Sequence, residues 1–254
     1  MRTTRRIALA GMGAAMLLPV GLGAASAADG DANANLSPVA LSGVQGGGSA
    51  MVKVEGTTLT VTMAANGLLP DQPHAAHIHF GTEARHECPA AADDASGDGT
   101  LNTTEGGPAY GGIVVSLTKT GDTSPESGLA VDRFDTAPGG EIAYQRGSID
   151  VDPGVADAIA AGQSVVVIHG VDRDGDGTYS GDVMSDLDPS LPTEATDPAL
   201  CGVLHAAPSG GVQTGAGGTA GSATSGTAML LGGALLAVGA TAGAFGLRRA
   251  RATV

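Results

Sequence analysis

Alternating apolar and polar positions predict a β-hairpin near the start of the chain. Residues 58–63 alternate threonines with leucine, valine and methionine, and residues 50–54 alternate in the same way. Because successive side chains of a strand point to opposite faces, each segment can bury one face and leave the other in water. The turn-forming residues 55–57 lie between the two segments, which favours a hairpin. A short apolar run at residues 36–41 predicts one strand before it.

The rest of the pattern predicts more strands, long loops and one helical turn. Two polar segments, 81–112 and 121–138, are predicted loops, and residues 155–161, followed by Gly162, predict a short helix with a glycine cap. Apolar runs predict strands at residues 113–117, 142–151 (one or two edge strands), 164–169 and 200–204. Many short strands joined by long connections predict an all-β fold, an antiparallel sandwich or barrel.

Residues 73–81 contain three of the six histidines. A strand between the proline and the glycine that bound this segment would place His77 and His79 on one face. A helix would instead pair His74 with His77, but helices rarely fit so short a span. Two adjacent imidazoles form half of a metal site, although a His-x-His pair can equally face solvent on a half-exposed strand.

A third histidine ends the β-branched run at residues 164–169, which predicts a buried strand whose last residue emerges at the sheet rim. A single histidine at a strand end is more often structural than a ligand. Together with His77 and His79, however, His169 predicts a site of three imidazoles. Three imidazoles suit copper and leave an open position for a small ligand.

The first 27 residues have the arginines, apolar stretch and small-residue cleavage pattern of a secretory signal peptide, which predicts an exported protein. Residues 229–247 form an uncharged run long enough for a helix of roughly 28 Å, which predicts a transmembrane segment followed by a basic cytoplasmic tail at 248–254. Residues 207–227, rich in glycine, serine, alanine and threonine, predict a flexible linker. Because Val212-Gln213-Thr214-Gly215 loosely resembles a sortase recognition sequence, cell-wall attachment is the alternative to a membrane anchor.

The remaining residues, about 36–206, suit one domain with one core. The part of the chain between the predicted signal peptide and the basic tail holds six basic and all 26 acidic residues, so nucleic acids and anionic membrane surfaces are poor partners for it. With no tryptophan, three phenylalanines and three tyrosines, the core must consist mainly of aliphatic side chains. The two cysteines, Cys88 and Cys201, are an even count in an exported chain, which favours one disulfide.

A second candidate metal site follows the third histidine. Asp172, Asp174 and Asp176 are two residues apart around a glycine turn, which resembles the first half of a calcium-binding loop. The bidentate glutamate of such loops is absent, since Val183 occupies its position. The segment therefore predicts either a calcium site or a solvated acidic turn.

Several motifs, in their order along the chain, resemble those of the copper/zinc superoxide dismutase family. They are His77-Ile78-His79-Phe80-Gly81, a cysteine nine residues after His79, Gly106-Gly107-Pro108, the strand that ends at His169, and Leu200-Cys201-Gly202-Val203. The same histidine strand, the strand at 113–117 and Gly139-Gly140-Glu141-Ile142 also resemble the CHRD domain. The resemblance implies a Greek-key β-domain over residues 36–206, with copper on His77, His79 and His169 and a disulfide between Cys88 and Cys201.

The chain also departs from the dismutase pattern. Residues 90–112 contain no histidine, so the family's zinc site and its bridging histidine are not expected. Residues 197–200 lack the family's arginine that steers superoxide. His74, His86 and His205 are further candidates to complete a copper site. The resemblance thus implies a surface-anchored, copper-binding domain with weak or no dismutase activity; the alternatives are an active copper superoxide dismutase and a noncatalytic CHRD-like structural or interaction module.

Overall fold

A computed structural model describes residues 29–208 of the 254-residue chain. The predicted signal peptide (1–27), nearly all of the linker (207–227), the apolar segment at 229–247 and the basic tail (248–254) lie outside the described residues. Among residues 29–208, no helix is long and apolar enough to cross a membrane.

Nine strands and three short α-helices make up the described part of the chain. In chain order they are β1 (Gly30–Pro38), β2 (Gly47–Glu55), β3 (Thr58–Asn66), β4 (Ala76–Phe80), α1 (Thr103–Tyr110), β5 (Gly112–Ser116), β6 (Ile142–Asp150), α2 (Pro153–Ala160), β7 (Val165–His169), α3 (Thr193–Thr196), β8 (Pro198–Val203) and β9 (His205–Ala206). Short 3-10 turns occupy Ala91–Asp93, Pro125–Ser127, Val131–Arg133 and Pro138–Gly140. The all-β prediction is confirmed.

The strands form one antiparallel sheet that curls into a half-barrel. Its order is β5-β4-β7-β8-β1-β2-β3-β6, with β9 paired to β1, so the chain leaves one half of the sheet after β3 and returns to it for β6. The two end strands approach each other through side chains. The Tyr144 hydroxyl and the Arg146 guanidinium of β6 donate hydrogen bonds to the Thr118 carbonyl, two residues past β5, at 3.2 and 2.7 Å.

The hairpin prediction is confirmed, with both arms longer than the pattern indicated. β2 pairs with β3 in a register that sets Glu55 opposite Thr58 and leaves a two-residue loop. Leu59, Val61 and Met63 are buried on the inner face, as their alternation predicts. These aliphatic side chains belong to the main core of the half-barrel.

Several element boundaries differ from the sequence prediction. β1 begins six residues before the predicted strand, because Ala32 and Ala34 point inward while aspartate and asparagine side chains point outward. Those residue types are uncommon in strands, so the alternation there is easily missed. α2 begins two residues before its predicted start because Pro153 occupies its first turn, where a missing N–H costs nothing.

α1 lies within a segment predicted to be a loop. Asn102 caps it: the side chain accepts a hydrogen bond from the Glu105 backbone, and the Glu105 carboxylate accepts one from the Asn102 backbone. This reciprocal capping offsets the low helix propensity of the two glycines and the proline inside the helix. The helix ends at Tyr110, whose ring is buried.

The central strands β4 and β7 are buried on both faces. Their inward residues, among them Ile78, Val166 and Ile168, join the main core. Their outward side chains lie under the loops and the helix α1, in a second apolar cluster that includes Val165, Val167 and Tyr110. The fold therefore creates a dry layer outside the sheet, and the histidines lie in this layer.

Cys88 and Cys201 form a disulfide, as predicted, with their Cα atoms 5.7 Å apart. The bond ties the loop after β4 to β8. A disulfide is consistent with an extracellular or otherwise oxidising location.

Candidate metal centre

The three predicted ligands come together on the outward face of β4 and β7. His77 and His79 are two residues apart on β4, and His77 lies opposite Val167 of β7. His169, two residues beyond Val167, is therefore a diagonal neighbour of His77 on the same face. The ring centroids are 5.1 to 5.9 Å apart, and all three side chains are buried.

Each imidazole is oriented by a backbone carbonyl on its far side. His77 Nε2 lies 3.0 Å from the Gly128 carbonyl oxygen, and His79 Nδ1 lies 3.0 Å from that of Gly111. His169 Nδ1 lies 2.6 Å from the carbonyl oxygen of Thr196. Since a carbonyl only accepts hydrogen bonds, each of these nitrogens carries the ring proton, and the other nitrogen keeps a free lone pair.

The three remaining nitrogens have no partner in the described structure. They are His77 Nδ1, His79 Nε2 and His169 Nε2, and each is fully buried. One ring nitrogen of each of these three histidines lies within 4.8 Å of a ring nitrogen of the other two. A buried polar atom without a hydrogen bond costs about 1–3 kcal/mol, so three such atoms facing one another require an explanation. Imidazole–metal bonds are about 2.0–2.1 Å long, so nitrogens no more than 4.8 Å apart are near enough to share one ion after small side-chain shifts. The donor set therefore fits a metal ion.

Burial holds these imidazoles in the neutral form that metals bind. Desolvation lowers the pKa of His79 to about 3 and that of His169 to about 4, in spite of their hydrogen bonds to carbonyls. The pKa of His77 is lowered well below the usual value by burial and by the two neighbouring imidazoles. Because coordination requires a deprotonated ring nitrogen, no proton has to leave these rings at neutral pH before a metal binds.

The metal-free protein is expected to lose stability as the pH falls from about 6.5 to about 4. In this window the unfolded chain protonates its histidines near pH 6.5, while the buried rings of the folded state stay neutral. The unfolded state therefore binds more protons than the folded state. For each extra proton, the free energy of unfolding falls by about 1.4 kcal/mol as the pH drops by one unit.

Urea unfolding at several pH values checks this prediction. Replacing His79 with glutamine should reduce the pH dependence of the unfolding free energy by an amount that corresponds to the uptake of up to one proton. Equal slopes in wild type and His79→Gln would contradict the burial-induced pKa shift.

A cavity of about 260 Å³ opens above the three rings. Tyr110 and Thr103 of α1 form part of one wall, and Leu129 and Leu187 from two different loops form part of the others. The Tyr110 ring centroid is 4.5 Å from that of His79, and its hydroxyl donates to the Thr103 carbonyl at 3.0 Å. The cavity gives a small molecule access to the histidine cluster.

The other three histidines lie outside this cluster. His74 is buried beneath it, with one nitrogen 2.7 Å from the carbonyl oxygen of His169 and the other 3.0 Å from that of Leu69. His86 stacks on Phe80 with a centroid distance of 5.3 Å, and His205 is exposed on β9. None of these three imidazoles joins the group of converging nitrogens, so a fourth histidine ligand is not supplied by them.

The acidic loop after His169 brings together a set that differs from the predicted one. Carboxylate oxygens of Asp172 and Asp174 lie within 4.8 Å of one another and of Glu194, a buried residue of α3. Asp176 instead accepts hydrogen bonds from the Thr178 backbone and hydroxyl, at 2.8 and 3.0 Å. No sequence pattern links Glu194 to this loop, because it is distant along the chain. Calcium binding at this loop stays a prediction.

Asp197 lies between α3 and β8. It is buried, and its carboxylate accepts hydrogen bonds from the Arg173 guanidinium at 2.5 Å and the Thr193 hydroxyl at 2.8 Å. Burial raises the pKa of Asp197, and Arg173 partly opposes this effect. Arg173 is thus engaged by Asp197, and it does not line the cavity above the histidines.

Comparison with known proteins does not assign a family. The chain matches no protein-family model and no curated protein sequence. A function for this chain therefore has to be inferred from the three-histidine cluster and its surroundings.

Proposed function

We propose that the chain is an exported, surface-anchored copper-binding domain of the superoxide dismutase-like type, with weak or no dismutase activity. The observation that supports this most is the convergence of three buried, unpartnered ring nitrogens from His77, His79 and His169. Isolated structural histidines would instead satisfy both nitrogens with hydrogen bonds or water.

The donor types are compatible with copper. Three neutral imidazoles suit copper, and no carboxylate or thiolate stands among the converging donors. The carbonyls of Gly111, Gly128 and Thr196 fix each ring on its far side, as outer partners of metal-bound histidines commonly do. Because these carbonyls come from three different connections, the loops that cover β4 and β7 set the orientation of the ligands.

The fold supports the same proposal. The order β5-β4-β7-β8-β1-β2-β3-β6 separates β3 from β4 and β6 from β7 although each pair is consecutive in the chain, as Greek-key connections do. The disulfide between Cys88 and Cys201 occupies the position that the resemblance implies. Placement outside the cell and anchoring by residues 229–247 rest on the sequence pattern, and the disulfide is consistent with them.

Bound copper would supply one-electron chemistry at this site. The residues of the chain would bind the ion through three nitrogens, hold the ring protons on the opposite nitrogens and keep bulk water away. Tyr110 packs against His79 and Phe134 against His77, with ring centroids 4.5 and 5.4 Å apart. These aromatic contacts restrict ring rotation, so the ligand set is largely formed before the ion arrives.

Fast superoxide dismutation is not expected. Superoxide is an anion, and the described residues hold six basic and 26 acidic side chains, a formal charge of −20. None of the described residues that line the cavity is an arginine or a lysine. Long-range repulsion with no local compensation lowers the rate at which an anion reaches the site.

Metal analysis and a superoxide assay on the purified protein test the proposal. We expect one copper per chain, lost in a His77→Ala/His79→Ala variant and retained in a His205→Ala control, with little dismutation. Rapid dismutation that disappears with the two histidines would instead assign an active copper superoxide dismutase. No copper uptake by the wild type would contradict the proposal and leave the CHRD-like module.

A further inference from the structure

The cavity above the histidine cluster is apolar over most of its surface. The described residues that line it include no aspartate, glutamate, lysine or arginine. Its polar groups are the three imidazoles, two threonines and Tyr110, and the Tyr110 hydroxyl is already hydrogen-bonded to the chain. In the metal-free protein, an ion entering this cavity would lose its water shell without gaining a charged partner among the lining side chains, which is costly.

Large apolar side chains surround the opening of this cavity. Leu129 is 38% exposed, Val131 is 39% exposed and Leu187 is 48% exposed, and all three line the cavity. Leu129 and Val131 belong to the loop between β5 and β6, and Leu187 belongs to the loop between β7 and α3. The fold brings these side chains together from two separate loops. An apolar molecule that covers these side chains would be stabilised by about 25 cal/mol for each Å² of apolar surface removed from water.

The size of the cavity sets the size of the ligand. An apolar cavity of about 150 Å³ can hold benzene. A volume of about 260 Å³ thus has room for one six-membered ring with a small substituent. The floor of the same cavity is formed by the three histidines, so a ligand of this size reaches the ion that they would hold.

From these features we infer that the cavity binds a small, neutral organic molecule, with an apolar body of about one six-membered ring and a single donor atom directed at the histidine cluster. This inference rests on the proposed copper site for the role of the donor atom. The apolar walls and rim select the body of the ligand whether or not a metal is present. In the metal-free protein these walls disfavour anions.

Two titrations of the copper(II)-loaded protein test this ligand class, with 4-methylpyridine as the neutral probe and azide as the anionic probe. Binding is followed by the ligand-field absorption and by electron paramagnetic resonance. Because copper(II) itself attracts an anion, the informative quantity is the ratio of the 4-methylpyridine affinity to the azide affinity and its change on substitution. Replacing Leu187 with lysine should reduce that ratio at least tenfold, and Leu129→Lys should act in the same direction. Met51→Lys, at a residue of β2 that is 49% exposed and outside the cavity, is the matched control and should leave the ratio unchanged.

A third titration separates the cavity from the metal. Benzene is added to the metal-free protein and binding is measured by nuclear magnetic resonance. Benzene binding that is weakened in Leu187→Lys and intact in Met51→Lys would support the apolar ligand class even if copper does not bind and the proposed function fails. A ratio of the 4-methylpyridine affinity to the azide affinity that is the same in Leu187→Lys and wild type would overturn the inference, and so would a failure of benzene to bind the metal-free protein.

Discussion

Copper binding is expected to weaken by at least about 100-fold when His79 is replaced with alanine. Loss of an outer partner of a metal ligand typically costs 10–100-fold in affinity, and His79 is one of only three converging donors, so its loss should cost more. A competition titration with a chromophoric copper chelator measures the change.

The metal-free His79→Ala protein should remain folded, because the substitution also removes a buried nitrogen without a partner. Circular dichroism establishes that point before the affinity is compared. His86→Ala is the matched control: this imidazole lies in the loop after the same strand but stacks on Phe80 outside the cluster. An affinity that is the same in His79→Ala and wild type would place the copper elsewhere.

Loss of the disulfide is expected to lower the free energy of unfolding by about 4 kcal/mol. Cys88 and Cys201 are 113 residues apart, and in the chain-entropy account a loop of about 100 residues contributes up to roughly 4.7 kcal/mol by restricting the unfolded chain. The bond also fixes the loop before α1 to β8, next to the apolar cluster that surrounds Tyr110.

Urea unfolding of the oxidised protein, the reduced protein and a Cys88→Ala/Cys201→Ala variant measures this contribution. The reduced protein and the double variant should share one lowered midpoint, since both lack the same cross-link. A midpoint in the double variant equal to that of the oxidised wild type would show that the cross-link contributes nothing to stability.

The sheet could be predicted from the sequence where alternation and burial agree. Threonines alternating with aliphatic residues specified β3, and the unbroken aliphatic run specified β7 as a strand buried on both faces. β1 was shortened in the prediction because its inward positions are alanines and its outward ones are asparagine and aspartate. α1 was missed because glycines and a proline hide it; Asn102 followed three residues later by Glu105 was the one available sign.

The candidate metal ligands could be predicted from the sequence, but the hydrogen bonds that orient their rings could not. Period-two spacing places His77 and His79 on one face in any strand. The carbonyls that orient them belong to Gly111, Gly128 and Thr196. Every residue has a carbonyl, so no sequence pattern marks these three, and only the path of the loops brings them to the rings. The apolar rim of the cavity could not be predicted from the sequence either, because its leucines come from separate loops.

Diffraction from crystals grown with copper, recorded on both sides of the copper absorption edge, tests the central claim most directly. We predict one anomalous peak per chain, within bonding distance of His77 Nδ1, His79 Nε2 and His169 Nε2, with the opposite nitrogens of the same rings still hydrogen-bonded to the three carbonyls. A peak located at other residues with the histidine cluster free of metal, or no peak in crystals of copper-saturated protein, would contradict the assignment of this cluster as a copper site.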